Sequence, residues 1–259
     1  MAEMCVEDPF MGRSDSFDTL PWFSDEHLNG WICEILRPYG SSICDVGAGT
    51  GLMLSEYARA FDWGLLVEPS FSMRRILEER ASNYESFTVS TGSAEELPIP
   101  DDHVDVAISK NALHHAVDVS DAVAEMARIA KRAVCVVEVT LPDESCRPYL
   151  ELLLSSKEPG RALSTIWSPS DLQRLIEPHC DRVHLLNHDQ YIDLDLWLAS
   201  SPLSSRDVAM LQEYVRSQPA AVRSAMQMHY RSGRWVQLRR ITAAVGFLDS
   251  EASMEFLRV

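Results

Sequence analysis

A glycine-rich segment that follows a buried strand constrains the fold of this chain more than any other feature. The run Ile43–Val46 leads into Gly47, Gly49 and Gly51, and an apolar helical pattern begins directly after them. Glycine is needed where a chain turns sharply and where a ligand must approach the backbone closely. The spacing G-x-G-x-G differs from the dinucleotide-binding pattern, because Leu52 stands where that pattern has its third glycine. The loop is compact and carries no lysine for a triphosphate, so the segment predicts a strand–loop–helix unit and is by itself a weak signal for a nucleotide-like ligand.

Short β-branched runs alternate with helical periods from residue 41 to residue 140, which is typical of a parallel sheet covered by helices. We predict an α/β fold on this basis. The predicted strands are Ile43–Val46, Gly64–Val67, Phe87–Val89, Val104–Ile108 and Val134–Val139, and the predicted helices between them are Leu52–Ala60, Ser72–Ala81 and Asp121–Ala130, the last capped by Ser120.

The chain before and after this stretch has weaker patterns. A helix is predicted near Asp25–Leu36, two further helices begin after the serine caps Ser168 and Ser204, and Trp235–Phe247 alternates as a late strand. We therefore expect one domain, with residues 1–40 as an N-terminal leader and helical lid, 41–140 as the ligand-binding core, and 141–259 as the C-terminal half that carries substrate-pocket insertions and the last strands.

The charge and cysteine content exclude several classes of protein. The chain has 39 acidic and 23 basic residues and a net charge of −16, so nucleic acid and anionic membrane are poor partners. No apolar run is long enough for a membrane span, and the acidic start does not resemble a signal peptide. The cysteines are scattered without metal-ligand spacing, which favours reduced thiols and a cytoplasmic protein: Cys5, Cys33, Cys44, Cys135, Cys146 and Cys180.

An acidic residue follows the second predicted strand. Glu68 ends the run Leu65–Glu68, and a carboxylate at this edge of a parallel sheet can accept hydrogen bonds from both hydroxyls of a ribose. Two further segments follow at the ends of later strands, Gly92-Ser-Ala-Glu-Glu-Leu-Pro98 and Ser109-Lys-Asn-Ala-Leu-His-His115.

In this order and spacing, the four motifs resemble the class I S-adenosylmethionine-dependent methyltransferases, in particular the methyltransferase type 11 group that includes enzymes like those of ubiquinone and menaquinone biosynthesis. The resemblance covers residues 41–140 strongly and continues weakly towards Phe247. It implies a Rossmann-like, doubly wound, mostly parallel seven-stranded sheet with helices on both faces. It also implies an antiparallel last strand and a helical cap formed by the N-terminus and by insertions after the fifth strand.

The resemblance implies S-adenosylmethionine as cofactor, S-adenosylhomocysteine as product and a small-molecule acceptor. Asp45 would orient the glycine loop and help hold the methionine ammonium, and Glu68 would bind the ribose. Ser93 stands where many relatives have an aspartate that is hydrogen-bonded to the adenine amine, and serine is a shorter acceptor for that contact. The cofactor-binding residues implied are Asp45, Gly47, Ala48, Gly49, Gly51, Glu68, Pro69, Met73, Ser93, Ala94, Glu95 and Asn111.

His114 and His115 are the candidate catalytic residues, because an imidazole at the end of the fourth strand can take a proton from an acceptor. Either could instead pack against the protein as a structural residue. We predict no metal ion, because Lys110–His114 replaces the acidic cluster with which catechol-type methyltransferases bind one. Two other functions stay open: cofactor binding without methyl transfer, as in a cyclase or lyase, and a non-catalytic scaffold. A homodimer also stays open.

Overall fold

The computed structural model of this chain describes residues 8, 14, 18–157, 166–200 and 203–248. The chain divides into two compact units. The first contains residues 1–137, 173–185 and 243–259, and the second contains residues 138–172 and 186–242. Among the sequence features noted above, Cys5 lies outside the described residues.

Helices and strands alternate through the first half of the chain, as the sequence pattern predicts. In chain order the elements are α1 (Glu26–Leu36), β1 (Ser42–Val46), α2 (Leu54–Ala60), β2 (Trp63–Val67), α3 (Phe71–Ala81), β3 (Phe87–Ser90), β4 (Val104–Lys110), α4 (Val119–Ile129), β5 (Ala130–Thr140), α5 (Arg147–Lys157), α6 (Pro169–Ile176), β6 (Arg182–Asp193), α7 (Leu194–Ala199), α8 (Ser205–Arg216), α9 (Ala220–Ala225), β7 (His229–Arg231) and β8 (Arg234–Phe247).

The strands form a mixed sheet in the order β3-β2-β1-β4-β5-β8-β6. The pairs β1–β2, β1–β4, β2–β3 and β4–β5 are parallel, and the sheet has an antiparallel end. These features confirm the predicted α/β class. The seven strands of the prediction are joined by an eighth, β7, which pairs with β8 in a tight hairpin. Its turn residues Ser232 and Gly233 both have positive φ, a conformation typical of two-residue hairpin turns.

Side-chain caps fix where the helices begin. The Asp25 carboxylate accepts hydrogen bonds from two amides of the first turn of α1, and the Ser70 hydroxyl accepts one from Met73 at the start of α3. The prediction that Ser120 caps α4 is wrong. Asp118 is the cap, since its carboxylate accepts from the backbone amides of Ser120 and Asp121, at 2.9 and 3.1 Å, and the helix already begins at Val119.

The carboxyl ends of three neighbouring strands meet at one edge of the sheet. β1 is buried at all five positions, as expected for a central parallel strand covered on both faces. Its last residue, Val46, pairs with Val67 at the end of β2, and Asp45 pairs with Ile108 near the end of β4. The segments that follow these strands therefore converge, and α/β sheets bind their ligands at such an edge.

The second unit has a hydrophobic core of its own. Tyr149 of α5 is buried there, and its hydroxyl donates a hydrogen bond of 2.5 Å to Gln237 Oε1. The predicted serine caps are confirmed, since Ser168 and Ser204 each accept a hydrogen bond of 3.2 Å from an amide of the following helix. The core cluster comprises Leu141, Cys146, Tyr149, Leu153, Ile166, Leu194, Leu198, Leu211, Val215, Val222 and Met226.

Candidate active site

A cavity of about 490 Å³ lies in the first unit, at the carboxyl ends of β1, β2 and β4. Twelve of the fourteen predicted site residues line it: Asp45, Gly47, Ala48, Gly49, Glu68, Pro69, Met73, Ser93, Ala94, Glu95, Asn111 and His115. Gly51 and His114 do not line its wall. Residues as far as 70 positions apart in the sequence, Asp45 and His115, thus share one cavity.

The amides of the glycine loop are already hydrogen-bonded within the protein. Gly47 and Ala48 both donate to the Val67 carbonyl, at 2.9 and 3.0 Å, and Gly51 donates to the Ala48 carbonyl at 3.0 Å. Gly49 donates to the Glu68 carboxylate at 2.7 Å. A phosphate cradle needs free amides that point at the ligand. With these four amides engaged, the loop does not offer such a cradle.

Two glycines of the loop have different physical roles. Gly49 has a φ of +58°, and a Cβ built on it would meet no atom within 4 Å, so a side chain there would project into open space beside the cavity. Gly51 has a φ of +82°, and a Cβ there would lie 2.6 Å from Leu77 Cδ1 of α3. Gly51 therefore allows the loop to pack against the helix, which explains its position away from the cavity wall.

Asp45 places a buried carboxyl group at the wall. Asp45 is 3% exposed, and burial raises the pKa of its carboxyl group to about 7. The Tyr57 hydroxyl and the Lys110 ammonium oppose this rise, whereas the nearby Glu68 carboxylate adds to it. The Tyr57 hydroxyl is itself buried and makes no well-formed hydrogen bond within the described part of the chain. A cationic ligand group beside Asp45 would stabilise its ionised form.

Glu68 connects the glycine loop to the start of α3. Its Oε2 accepts from the Gly49 amide at 2.7 Å, and its Oε1 accepts from the Ser70 amide at 2.8 Å. Burial raises the pKa of Glu68, and these two backbone donors together with Arg74 limit the rise. Each carboxylate oxygen has a second lone pair, so the side chain can still accept hydrogen bonds from a ligand.

Asn111 has the features of a residue held for a ligand. It follows β4 with a φ of +52°, a conformation that is uncommon for residues other than glycine. Its backbone amide donates to the Val137 carbonyl at 2.8 Å, which holds the residue on the sheet. Its Oδ1 is buried and has no hydrogen-bond partner among the described residues. A buried acceptor without a donor is costly, so a ligand donor in the cavity would satisfy it.

Lys110 also lines the cavity, although it is not among the predicted site residues. Its ammonium donates a hydrogen bond of 2.8 Å to Oδ1 of Asn29, which is buried in α1, and it lowers the pKa of Asp45. The wall therefore carries one ammonium group beside the Asp45 carboxyl. The position of Lys110 next to Asn111 could have suggested that it lies in the site. Nothing in the local sequence, however, indicates that a residue of α1 would hold the Lys110 side chain at the cavity.

The two candidate histidines lie in a short 3₁₀ turn, Leu113–His115, directly after β4. Their ring centroids are 4.1 Å apart. The exposed His115 lines the cavity, whereas His114 does not. The geometry therefore distinguishes the two residues, and His115 is the one placed to meet an acceptor.

The segment before α1 contributes an aromatic ring to the cavity wall. Phe23 lines the cavity, whereas the neighbouring Trp22 is buried and does not. Phe17, another aromatic residue of the leader, lies outside the described residues. Asp18 holds the segment in place, because its carboxylate accepts from the Thr50 hydroxyl of the glycine loop at 2.5 Å and pairs with the Arg80 guanidinium of α3.

The described cysteines are free and do not line the cavity. Burial raises the pKa of the Cys33 and Cys180 thiols to about 12 and also raises that of Cys146, so these thiols stay protonated. Within the described ranges, no three His, Cys, Asp or Glu side chains cluster as a metal site. None of the helices in those ranges is long and apolar enough to cross a membrane.

Comparisons with known proteins match the segment that supplies most of the cavity wall. Residues 44–137 match a family model described as a methyltransferase domain. An uncharacterized methyltransferase of Bacillus velezensis is 35% identical over 79 residues, which are 30% of this chain and 36% of that protein. The uncharacterized methyltransferase YcgJ of Bacillus subtilis is 32% identical over 92 residues, which are 35% of this chain and 36% of that protein. The chain thus spans about a third of the length of these curated relatives.

Solved structures show that the likeness in fold extends further than the likeness in sequence. The crystal structure of YcgJ superimposes with a TM-score of 0.74 at 18% identity, covering 86% of this chain and 98% of that one. A geranyl diphosphate methyltransferase in complex with SAM superimposes with a TM-score of 0.52 at 14% identity, covering 86% of each chain. The predicted Rossmann-like α/β fold is confirmed, and residues 44–137 are similar to the methyltransferase-domain family.

Proposed function

We propose that this chain, whose residues 44–137 match the methyltransferase-domain model, transfers a methyl group from S-adenosylmethionine to a small-molecule O, N, C or S nucleophile. One observation carries the proposal: the buried carboxyl groups of Asp45 and Glu68 line one cavity beside a glycine loop whose amides are already engaged. Such a cavity suits a cationic nucleoside with free ribose hydroxyls better than a nucleotide with phosphates.

The residues present fit the cofactor's chemical groups. Asp45 would attract the ammonium of the methionine part, and the Lys110 ammonium would attract its carboxylate. Glu68 would accept hydrogen bonds from the ribose hydroxyls through its remaining lone pairs. The buried Oδ1 of Asn111 would accept a hydrogen bond that the protein itself does not supply. The remaining predicted residues would line the methionine and adenine parts.

The chain's own contribution to the reaction is alignment, exclusion of water and proton removal. When bound, S-adenosylmethionine supplies an activated methyl carbon on a cationic sulfonium. The cavity walls would orient the acceptor towards that carbon and keep water out. His115, exposed at the wall, would take a proton from an acceptor that arrives protonated. His114 would support the turn rather than touch the acceptor, since it lies off the wall.

Binding can be tested without knowledge of the acceptor. Isothermal calorimetry should show S-adenosylhomocysteine binding far more tightly than ADP or NAD. Glu68→Ala should weaken that binding by about 1.5–3 kcal/mol, because it removes a charged hydrogen-bond acceptor. Arg59→Ala, a change on an exposed pair of α2, should leave the affinity unchanged. Equal affinity for ADP, or an unchanged affinity in Glu68→Ala, would contradict the ligand assignment.

Methyl transfer itself requires turnover. With a panel of small nucleophiles, we expect formation of S-adenosylhomocysteine together with an acceptor product heavier by one methylene. Tight binding without product from any acceptor class would favour the alternative in which the cofactor is bound but not consumed. Following the sequence, we also propose that the acceptor is a small molecule rather than nucleic acid or membrane, and that the protein is cytoplasmic.

The role of His115 can be tested through pH. If His115 is the base, kcat/KM rises with pH as its imidazole loses a proton, and His115→Asn removes this limb and lowers kcat by about 10²–10⁴-fold. His114→Asn is the matched control and should keep both the limb and most of the rate. A His115→Asn enzyme with the wild-type rate and profile would show that the acceptor binds already deprotonated or is a soft nucleophile.

A further inference from the structure

Glu95 connects two segments of the cavity wall that are distant in sequence. Its Oε1 accepts a hydrogen bond of 2.6 Å from the Val117 amide and one of 3.3 Å from the Asp118 amide. Both Glu95 and Val117 line the cavity. The carboxylate that the family resemblance places at the adenine edge is therefore bonded to the segment that follows His115.

Hydrogen bonds of the backbone hold the two ends of that segment, since the 3₁₀ turn closes before it and the Asp118 carbonyl accepts from the Ala122 amide of α4 at 3.1 Å. The 3₁₀ turn is closed by hydrogen bonds from His115 to Ala112 and from Ala116 to Leu113, at 2.9 and 3.0 Å. Beyond it, the Val117 residue is 98% exposed, so packing of its side chain does not hold the backbone. The Glu95 carboxylate is the acceptor for the amides that link the turn to α4.

The loop that carries Glu95 is itself anchored to α4. The Glu125 carboxylate accepts from the Leu97 amide at 2.9 Å, and the Arg128 guanidinium donates to the carbonyls of Leu97 and Ile99 at 3.2 and 2.8 Å. The loop is thus fastened to the body of the helix, while Glu95 reaches back to the residues that enter the same helix. Because the loop is bonded to α4, the Glu95 carboxylate has a defined position, and its hydrogen bonds can fix the position of the residues after the turn.

We propose that Glu95 is a positioning residue for the acceptor side of the site, holding residues 116–118 and through them His115 against the cavity. The proposal rests on the proposed methyl transfer, in which His115 faces the acceptor. Because the hydrogen bonds are exposed, their contribution to global stability is small, and their effect is on the placement of the turn. Glu95 thereby couples the cofactor side of the cavity to the acceptor side.

The test compares Glu95→Ala, Glu95→Gln and the matched control Glu96→Ala in the full chain. Glu96 is the neighbouring carboxylate, is exposed and lies off the cavity wall. Glu95→Ala should lower kcat by about 10–100-fold and speed amide exchange at Val117 and Asp118 by about tenfold, with the S-adenosylhomocysteine dissociation constant changed less than about threefold. Glu95→Gln keeps one acceptor oxygen and should recover most of the rate, and Glu96→Ala should match wild type.

Each contrary outcome overturns a distinct statement. An unchanged exchange rate at Val117 in Glu95→Ala overturns the proposed contact and needs no turnover. Faster exchange with an unchanged kcat makes Glu95 a structural residue only. A cofactor affinity lowered in proportion to the rate makes it a cofactor ligand instead. Absence of turnover in the wild-type protein contradicts the proposed methyl transfer rather than the contact.

Discussion

The carboxyl group of Asp45 lies fully enclosed at the end of β1, and burial raises its pKa to about 7, well above the ordinary value of 3.8. The native state then binds a proton more tightly than the unfolded state, so this group's contribution to stability is present below about pH 4 and is lost as the pH rises through about 7. An ionised Asp45 is therefore a cost to the free protein at neutral pH, and a cationic ligand group would offset that cost.

Asp45→Asn should separate stability from binding. At pH 8 we expect the variant to unfold in urea with a free energy about 1–4 kcal/mol above wild type, and at pH 4.5 with little difference. Its affinity for S-adenosylhomocysteine should fall by about 10–100-fold, because a charge-assisted hydrogen bond is lost. Asp62 is exposed, so Asp62→Asn makes the same change of charge at an unburied position. It should alter neither the free energy of unfolding nor the affinity for S-adenosylhomocysteine. Equal stability of Asp45→Asn and wild type at both pH values would contradict the raised pKa.

Two glycines allow the cost of a side chain at positive φ to be measured separately from the exclusion of the ligand by that side chain. Gly49 and Gly233 both have positive φ, and a Cβ on either would meet no atom within 4 Å, but only Gly49 lines the cavity. Alanine should strain the backbone at each position by about 1–2 kcal/mol, measured by urea unfolding. Only Gly49→Ala should also weaken S-adenosylhomocysteine binding, by at least about tenfold, because its methyl group occupies ligand space. Similar affinities for the two variants would remove the loop from the binding site.

The strap formed by Asp18, Thr50 and Arg80 joins three segments of the first unit. The Arg80 guanidinium donates to the Thr50 carbonyl at 2.9 Å and pairs with Asp18, which also binds the Thr50 hydroxyl. The strap therefore fixes the chain just before Phe23, whose ring lines the cavity. Ordered wall segments slow ligand release when they must move before the ligand leaves.

Asp18→Asn should loosen this wall. We expect the dissociation rate of S-adenosylhomocysteine, measured by stopped flow, to rise by about 3–10-fold with a smaller change in the association rate. Arg59→Ala breaks a comparable pair, Arg59–Glu56, on an exposed face of α2 and should leave both rates unchanged. If Asp18→Asn releases the ligand at the wild-type rate, the strap is only structural.

Local periodicity predicted the elements of the first unit but not the contacts between them. The strand–helix alternation predicted each element from β1 to β5 to within a few residues, since period and caps are local signals. The cap of α4 was misassigned because Asp118 and Ser120 are both good capping residues two positions apart. Glu68 could be found because the ends of parallel strands must converge, and Asn111 was implied by the family resemblance.

Other site residues depend on contacts that a linear pattern does not encode. Lys110 reaches the wall with Asn29 of α1 as its partner, and Asp18 meets Arg80 across more than 60 residues. The carboxylate of Glu95 contacts the Val117 amide, which no motif in the sequence indicates. The second unit was the least predictable part, because its core joins short helices whose apolar residues lack a long period.

At the scale of the whole chain, the sequence favours one domain, whereas the contacts form two compact units. The unit boundaries fall at residues 137/138, 172/173, 185/186 and 242/243, inside β5, α6, β6 and β8 respectively. Backbone hydrogen bonds along one strand tend to be lost together, so we propose that the molecule unfolds as one cooperative system. A ligand that binds only the native state then stabilises both units, although its contacts lie in the first.

Hydrogen exchange measured by mass spectrometry can test this cooperativity in the intact chain. With S-adenosylhomocysteine at about 100 times its dissociation constant, linkage predicts about 2.7 kcal/mol of added stability. Amides that exchange only by global unfolding should therefore exchange about 100-fold more slowly. Under one cooperative transition, the most protected amides of β1 in the first unit and of α8 in the second should slow by the same factor. At that ligand concentration, binding weakened at least tenfold in Gly49→Ala should limit the slowing in either element to about 11-fold or less. Slowing confined to β1 would mean that the second unit unfolds separately, since ligand binding to one unit would then leave the other's opening free energy unchanged.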